Sequence, residues 1–163
     1  MACVASLTLT SALAFGVGAR KSVALTVNGE TTTVTTYAMS VDRLLQEQGD
    51  EIFADCDGIA IELDLEKETV KQVLQFAKKY RKKVYAAVSN MSIAMERRDF
   101  LQQIDCFVCN QQEAGLMFSD NYEELDADEM CRTLAGNVHS ANIPCMVVTM
   151  GGEGAVYARS NGE

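Results

Sequence analysis

Hydrophobic positions fall into two regimes along this chain. From residue 58 onward, short apolar runs alternate with stretches whose apolar residues recur every three or four positions. Gly58-Ile-Ala-Ile-Glu-Leu63 predicts a buried strand. Glu66 to Lys79 then sets Val70, Val73, Leu74 and Ala77 at helical spacing, with lysines on the other face. The alternation continues with a strand at Val84–Val88, a helix from Ile93 to Gln103, a strand at Ile104–Cys109 and a short helix at Gln111–Phe118. A helix from Asp126 to Ser140, a strand at Cys145–Thr149 and the start of another at Ala155–Ala158 complete the series. Before residue 58 the pattern differs. Ser22–Val27 and Thr31–Tyr37 are β-branched runs separated by Asn28-Gly29-Glu30, a strong hairpin signal because a type I′ turn needs positive φ at both central positions. Val41 to Gln48 predicts a short helix, capped by Ser40 and ended by Gly49.

Apolar strands joined by amphipathic helices predict an α/β fold, a parallel sheet with helices on both faces. The polar, threonine-rich hairpin reads as a flap or small added sheet. Three stretches follow: an atypical N-terminal segment over 1–19, a β-hairpin element over 20–40, and a partial α/β domain over 41–163. The sheet is still in progress at the last residues, so the expectation is an incomplete domain.

Composition narrows the function. With 163 residues, 48% hydrophobic and 23% charged, the chain has enough apolar material for one real core. Acidic residues outnumber basic ones 23 to 14, a formal charge of −9. Such a surface repels nucleic-acid phosphates and anionic lipid, so neither is an expected partner. Met1 to Phe15 is mildly apolar, yet no Lys or Arg precedes it, which disfavours a signal peptide. It is also too short to span a bilayer. A cytoplasmic location with reduced thiols is expected. The six cysteines mostly lie in apolar runs, and Cys106 and Cys109, three apart on a strand, point to opposite faces and do not converge on a metal.

In open sheets of this kind ligands bind outside the carboxyl ends of the strands. That rule selects Val88-Ser89-Asn90, Asn110-Gln-Gln-Glu113 and Thr149-Met150-Gly151-Gly152-Glu153-Gly154. Asn110 and Glu113 fit a capping box at a helix start. They equally fit a helix N-terminus that attracts anions, with a carboxylate holding Mg²⁺ or its waters. The glycine-rich segment is either a tight turn or a backbone cradle for phosphate or ribose. Neither is a Walker A sequence, so a P-loop enzyme is disfavoured, and the Gly-x-Gly-x-x-Gly turn of a Rossmann oxidoreductase is missing. His139, the lone histidine, is explained by its place late in a helix.

In this order and spacing the strand-end segments resemble the PfkB/ribokinase family of carbohydrate and nucleoside kinases. Asn110-x-x-Glu113 is similar to that family's Asn-x-x-Glu motif, which organises Mg²⁺ and the ATP phosphates. Thr149-Met-Gly151-x-x-Gly154-Ala is similar to its Thr-x-Gly-x-x-Gly segment against the nucleotide. The hairpin resembles the family's β-sheet lid. The resemblance implies a ribokinase-like α/β fold, ATP and Mg²⁺ as cofactors, and a small sugar or nucleoside as partner. It implies nucleotide-binding roles for Asn110, Glu113, Thr149, Gly151 and Gly154, with Glu113 reaching the metal through water. Ser89 and Asn90 fall on the substrate side. Val88-Ser89 stands where pseudouridine kinases carry Asp-Pro-Val-Ser, with Ala86-Ala87 in place of Asp-Pro; Asn90 equally matches an Asp-x-Asn pattern. The family's Gly-Ala-Gly-Asp motif, which supplies the anion hole and catalytic base, has no counterpart in the 163 residues. The expected function is therefore a fragment of an ATP-dependent kinase, inactive as this chain and with its base expected beyond Glu163. The alternative is a non-catalytic ligand-binding or dimerisation module, a homodimer pairing through the hairpin.

Overall fold

The structure is a computed structural model and describes residues 21–27, 30–38 and 40–162. The 1–19 segment and the Asn28-Gly29 turn lie outside the described residues. The chain divides into two compact units, one of residues 1–60 and 66–83, the other of residues 61–65 and 84–163.

In the first unit β1 (Lys21–Val27) and β2 (Glu30–Thr36) form an antiparallel hairpin in the register Val23↔Val34. Thr31, Thr32, Thr33 and Thr35 are exposed, whereas Thr36 is buried. The Thr36 hydroxyl donates to Glu47 Oε2 and accepts from the Ala38 amide at 2.9 Å, anchoring the ribbon to α1 (Val41–Ala54). That helix does not end at Gly49. It continues to Ala54 because Leu44, Leu45, Ile52 and Phe53 form one buried stripe that runs past the glycine. A Cβ at Gly49 would collide with the Phe76 ring of α2 (Lys67–Tyr80), so glycine there is a close-approach residue and not a stop. Phe53 and Phe76 stack at 5.1 Å. At the rim, Lys79 Nζ meets Asp50 Oδ1 at 2.5 Å and Tyr80 donates to the same oxygen at 2.8 Å.

A five-stranded sheet has the order β3-β4-β5-β6-β7, with β5, β6, β7 and most of β4 in the second unit. Its strands are β3 (Gly58–Glu62), β4 (Lys83–Ala87), β5 (Cys106–Asn110), β6 (Cys145–Thr149) and β7 (Ala155–Arg159). Pairs β4–β5 and β5–β6 are parallel, as the intervening helices require. β7 returns antiparallel to β6 because a short turn, and no helix, joins them. The sheet is thus mixed within an α/β fold. The segment predicted as one helix over Ile93–Gln103 is two, α3 (Met91–Glu96) and α4 (Arg98–Leu101), broken at Arg97, whose φ of −115° is not helical. The break frees the Arg97 guanidinium to donate to Leu63 O and Leu65 O, both at 2.5 Å, closing the chain just after β3.

Both crossovers inside this unit, β4 to β5 and β5 to β6, step the same way along the sheet. Right-handed connections then put their helices on one face. Ala86, Phe107, Cys109, Met146, Val148, Val156 and Ala158 on that face are all buried. They pack under α5 (Gln111–Phe118) and α6 (Ala127–Ala141), whose Ala114, Met117, Met130, Leu134 and Val138 complete the core. The other face is far more open: Tyr85 is 49% and Tyr157 60% exposed, with Val108 and Val147 half-buried between them. The expected cover on both faces is accordingly uneven among the described residues. No helix among them is long and apolar enough to cross a membrane.

Candidate functional site

Asn110 ends β5 and caps α5. Its side chain accepts from the Glu113 amide at 2.8 Å, and Glu113 Oε2 accepts from the Asn110 amide at 2.8 Å, a complete capping box. Both residues are exposed or half-buried at the rim, so this polar pair faces solvent at the carboxyl end of the sheet. The cap explains why asparagine and glutamate occur three apart. It also fixes the first amides of an eight-residue helix, whose positive end lies at the strand terminus.

The next strand brings Thr149 alongside. In the parallel ladder Asn110 pairs with Thr149, so the ends of β5 and β6 set the asparagine beside the threonine. The Thr149 hydroxyl donates to Cys109 O at 3.4 Å. Beyond it, Gly151–Glu153 makes a single 3₁₀ turn, closed by Met150 N–H to Gly154 O at 2.8 Å. Gly151 has φ +58° and Gly154 φ +103°, ψ −134°. The second of these is a region that residues with a Cβ avoid, which is why the turn needs glycine there. No atom lies within 4 Å of where a Cβ would stand on Gly151, Gly152 or Gly154. The turn therefore borders open space and its glycines serve backbone shape, not close packing.

Ser89 and Asn90 follow β4. Asn90 caps α3 by accepting from the Ser92 amide at 3.1 Å, and the Ser89 amide donates to Asp64 Oδ2 at 2.9 Å. Among the described residues no hydrogen bond joins Ser89 or Asn90 to Asn110 or Thr149. Asp64 was not picked out by the sequence reading. It stands two residues past β3, and its other oxygen, Oδ1, is buried with no hydrogen-bond partner. The strand-end rule that selected Asn110 would have found it: Asp64 follows directly on the apolar run ending at Leu63.

Two hollows occur away from these strand ends. One, of about 210 Å³, lies among Leu101, Met117, Phe118 and Ile143; a shallower one opens at Gly115, Leu116 and Tyr122. None of the predicted site residues lines either. His139 sits in the last turn of α6 with Nδ1 2.9 Å from Ser160 O, a structural contact. The Cys109 thiol, beneath Asn110, is pushed up to about 12 by burial and, secondarily, by the Glu113 carboxylate, and stays protonated. No cluster of three or more metal-ligating side chains occurs among the described residues.

Solved structures similar to this chain include several kinases. The chain is similar to a ribokinase from Arabidopsis thaliana complexed with ribose and ATP, at TM-score 0.58 and 17% identity, covering 83% of this chain and 43% of that one. A carbohydrate kinase from Agrobacterium tumefaciens gives TM-score 0.57 at 18% identity, with 82% of this chain and 41% of that one covered. A phosphomethylpyrimidine kinase from Clostridium difficile gives TM-score 0.53 at 13% identity, covering 86% of this chain and 66% of that one. At such identities the likeness is one of fold, and the chain spans less than half the length of the first two. The family model for pfkB family carbohydrate kinases matches residues 10–163, and the chain belongs to that family. No curated protein sequence matches at a significant level.

Proposed function

We propose that this chain carries the nucleotide side of an ATP-dependent kinase that transfers phosphate to a hydroxyl of a sugar or nucleoside, ribose and pseudouridine being the candidate types. The observation that carries the reading is the pairing of Asn110 with Thr149 at two strand ends, next to an open glycine turn. ATP supplies the phosphoryl group, and Mg²⁺ offsets charge on its oxygens. Amides of the 151–154 turn and the Thr149 hydroxyl suit phosphate or ribose, since the turn has room and two positive-φ glycines. Glu113 Oε2 is engaged by the Asn110 amide, which favours holding Mg²⁺ through water over direct ligation. Ser89 and Asn90 belong to the acceptor side, where Asp64 fixes the Ser89 amide.

None of the 163 residues matches the Gly-Ala-Gly-Asp segment that the resemblance assigns to acceptor activation. Binding without turnover is therefore expected. Amide exchange with a non-hydrolysable ATP analogue and Mg²⁺ should slow at Thr149–Gly154 and Asn110–Glu113, while ATP with ribose or pseudouridine gives no phosphorylated product. Unchanged exchange there would contradict the nucleotide role, and sustained acceptor-dependent transfer would contradict the absence of turnover. A second reading, a module that dimerises through its ribbon, draws on the exposed Thr31, Thr32, Thr33 and Thr35 of β2.

A further inference from the structure

The open face of the sheet holds a feature that the nucleotide reading does not use. The ladders align Tyr85 with Cys106, Phe107 with Met146, and Cys145 with Arg159. Stepping back one residue from Phe107 and Met146 sets Cys106 and Cys145 side by side at the starts of β5 and β6. Both side chains then share the face that carries Val108, Val147 and Tyr157. The ladder register makes them cross-strand neighbours on one face of the sheet. Neighbouring strands lie about 4.8 Å apart, within the roughly 4.4–6.8 Å Cα separation that a disulfide spans. Cys145 is half-buried, so an oxidant reaches it, while Cys106 lies just beneath at 8% exposure. Arg159 is the ladder partner of Cys145 and shares its row, with its guanidinium over the Tyr157 ring. Tyr85 and Tyr157, on the same face, are themselves exposed.

We infer that Cys106 and Cys145 form a redox modification site, closing a reversible disulfide between β5 and β6 when the protein meets a peroxide. The Cys145 thiolate attacks one peroxide oxygen, the O–O bond breaks, and the departing hydroxide takes up the thiol's proton as water. Cys145 is left as a sulfenic acid. The Cys106 sulfur then attacks that sulfur, the S–O bond breaks, and the hydroxyl leaves with the Cys106 proton as a second water. Two thiols lose two electrons and hydrogen peroxide becomes two waters. The Cys106 thiol is pushed up to about 12, first by burial and next by its contact with Cys145, which fits it as the protonated resolving partner. Cys109, on the opposite face and deeper, cannot take part, and Cys131 is exposed on a helix elsewhere.

The test is thiol counting and peptide mapping of the full chain after treatment with equimolar hydrogen peroxide. The expected result is loss of two thiols per chain, a linked Cys106–Cys145 peptide pair, and full recovery with dithiothreitol. In Cys106→Ser the sulfenic acid on Cys145 should persist and be trapped by dimedone; in Cys145→Ser the linked pair should vanish. The mapping on unaltered protein decides the matter even if a variant folds poorly. Oxidation confined to the exposed Cys131, or linkage of Cys145 to a cysteine other than Cys106, would overturn the inference.

Discussion

Asn110 has one side chain and two demands on it. As a cap it satisfies the Glu113 amide, and replacing such a cap by alanine costs about 0.5–2 kcal/mol. As a nucleotide residue it would also have to tolerate phosphate close by. Aspartate caps as well as asparagine does but adds a negative charge, so the two roles separate. Asn110→Ala is expected to lower both stability and nucleotide affinity. Asn110→Asp is expected to keep the denaturant midpoint within error and weaken Mg·ATP binding at least tenfold by calorimetry. Asp50 makes a different prediction. Its hydrogen bonds from Lys79, then Tyr80, hold its carboxyl below the ordinary value of 3.8. Whatever the pair contributes is present above that value and is lost as pH falls through the lower folded one. Carboxyl NMR should find Asp50 titrating below 3.8 and returning upward in Lys79→Ala. The candidate residues were legible because strand ends and capping patterns are local. The Asp64–Ser89 bond was not, since its partners lie 25 positions apart and meet only through the fold.

At the scale of elements, Gly49 shows why a local signal misled. Glycine after a helical run usually marks a C-terminal cap. Here the stripe of Leu45, Ile52 and Phe53 outweighs it, and the glycine's missing Cβ lets Phe76 come close. Gly49→Ala would gain about 1 kcal/mol of helix propensity. Against that stands an overpacking cost of about 1–3 kcal/mol, softened where the Phe76 ring can move. A net loss of stability is expected in urea unfolding, relieved when Phe76→Ala accompanies it; a gain would show that the seam is loose. The break at Arg97 was equally hidden, since Ile93–Gln103 has helical spacing and only the carbonyls of Leu63 and Leu65 explain why the arginine leaves it. By contrast α5 kept its predicted span and α6 (Ala127–Ala141) lies within one residue of its predicted bounds, because each begins with a capping box that is local in the sequence.

For the molecule as a whole, the alternation of strand and helix announced an α/β unit, and the family match over residues 10–163 agrees. What the pattern did not announce is which face each helix covers. That depends on strand order, and the sequential order of β4, β5 and β6 leaves Tyr85 and Tyr157 in the open. Nucleotide is proposed to bind instead at the strand ends, beside Asn110 and Thr149. Thermal unfolding with and without Mg·ATP tests that binding most directly. At a hundred times the dissociation constant, ligand adds about 2.7 kcal/mol, which for a chain of this size raises the midpoint by roughly 5–10 °C. A saturable rise of that order is expected in the native chain, largely lost in Asn110→Asp. A midpoint indifferent to Mg·ATP, or the same rise in both proteins, would contradict the proposed binding.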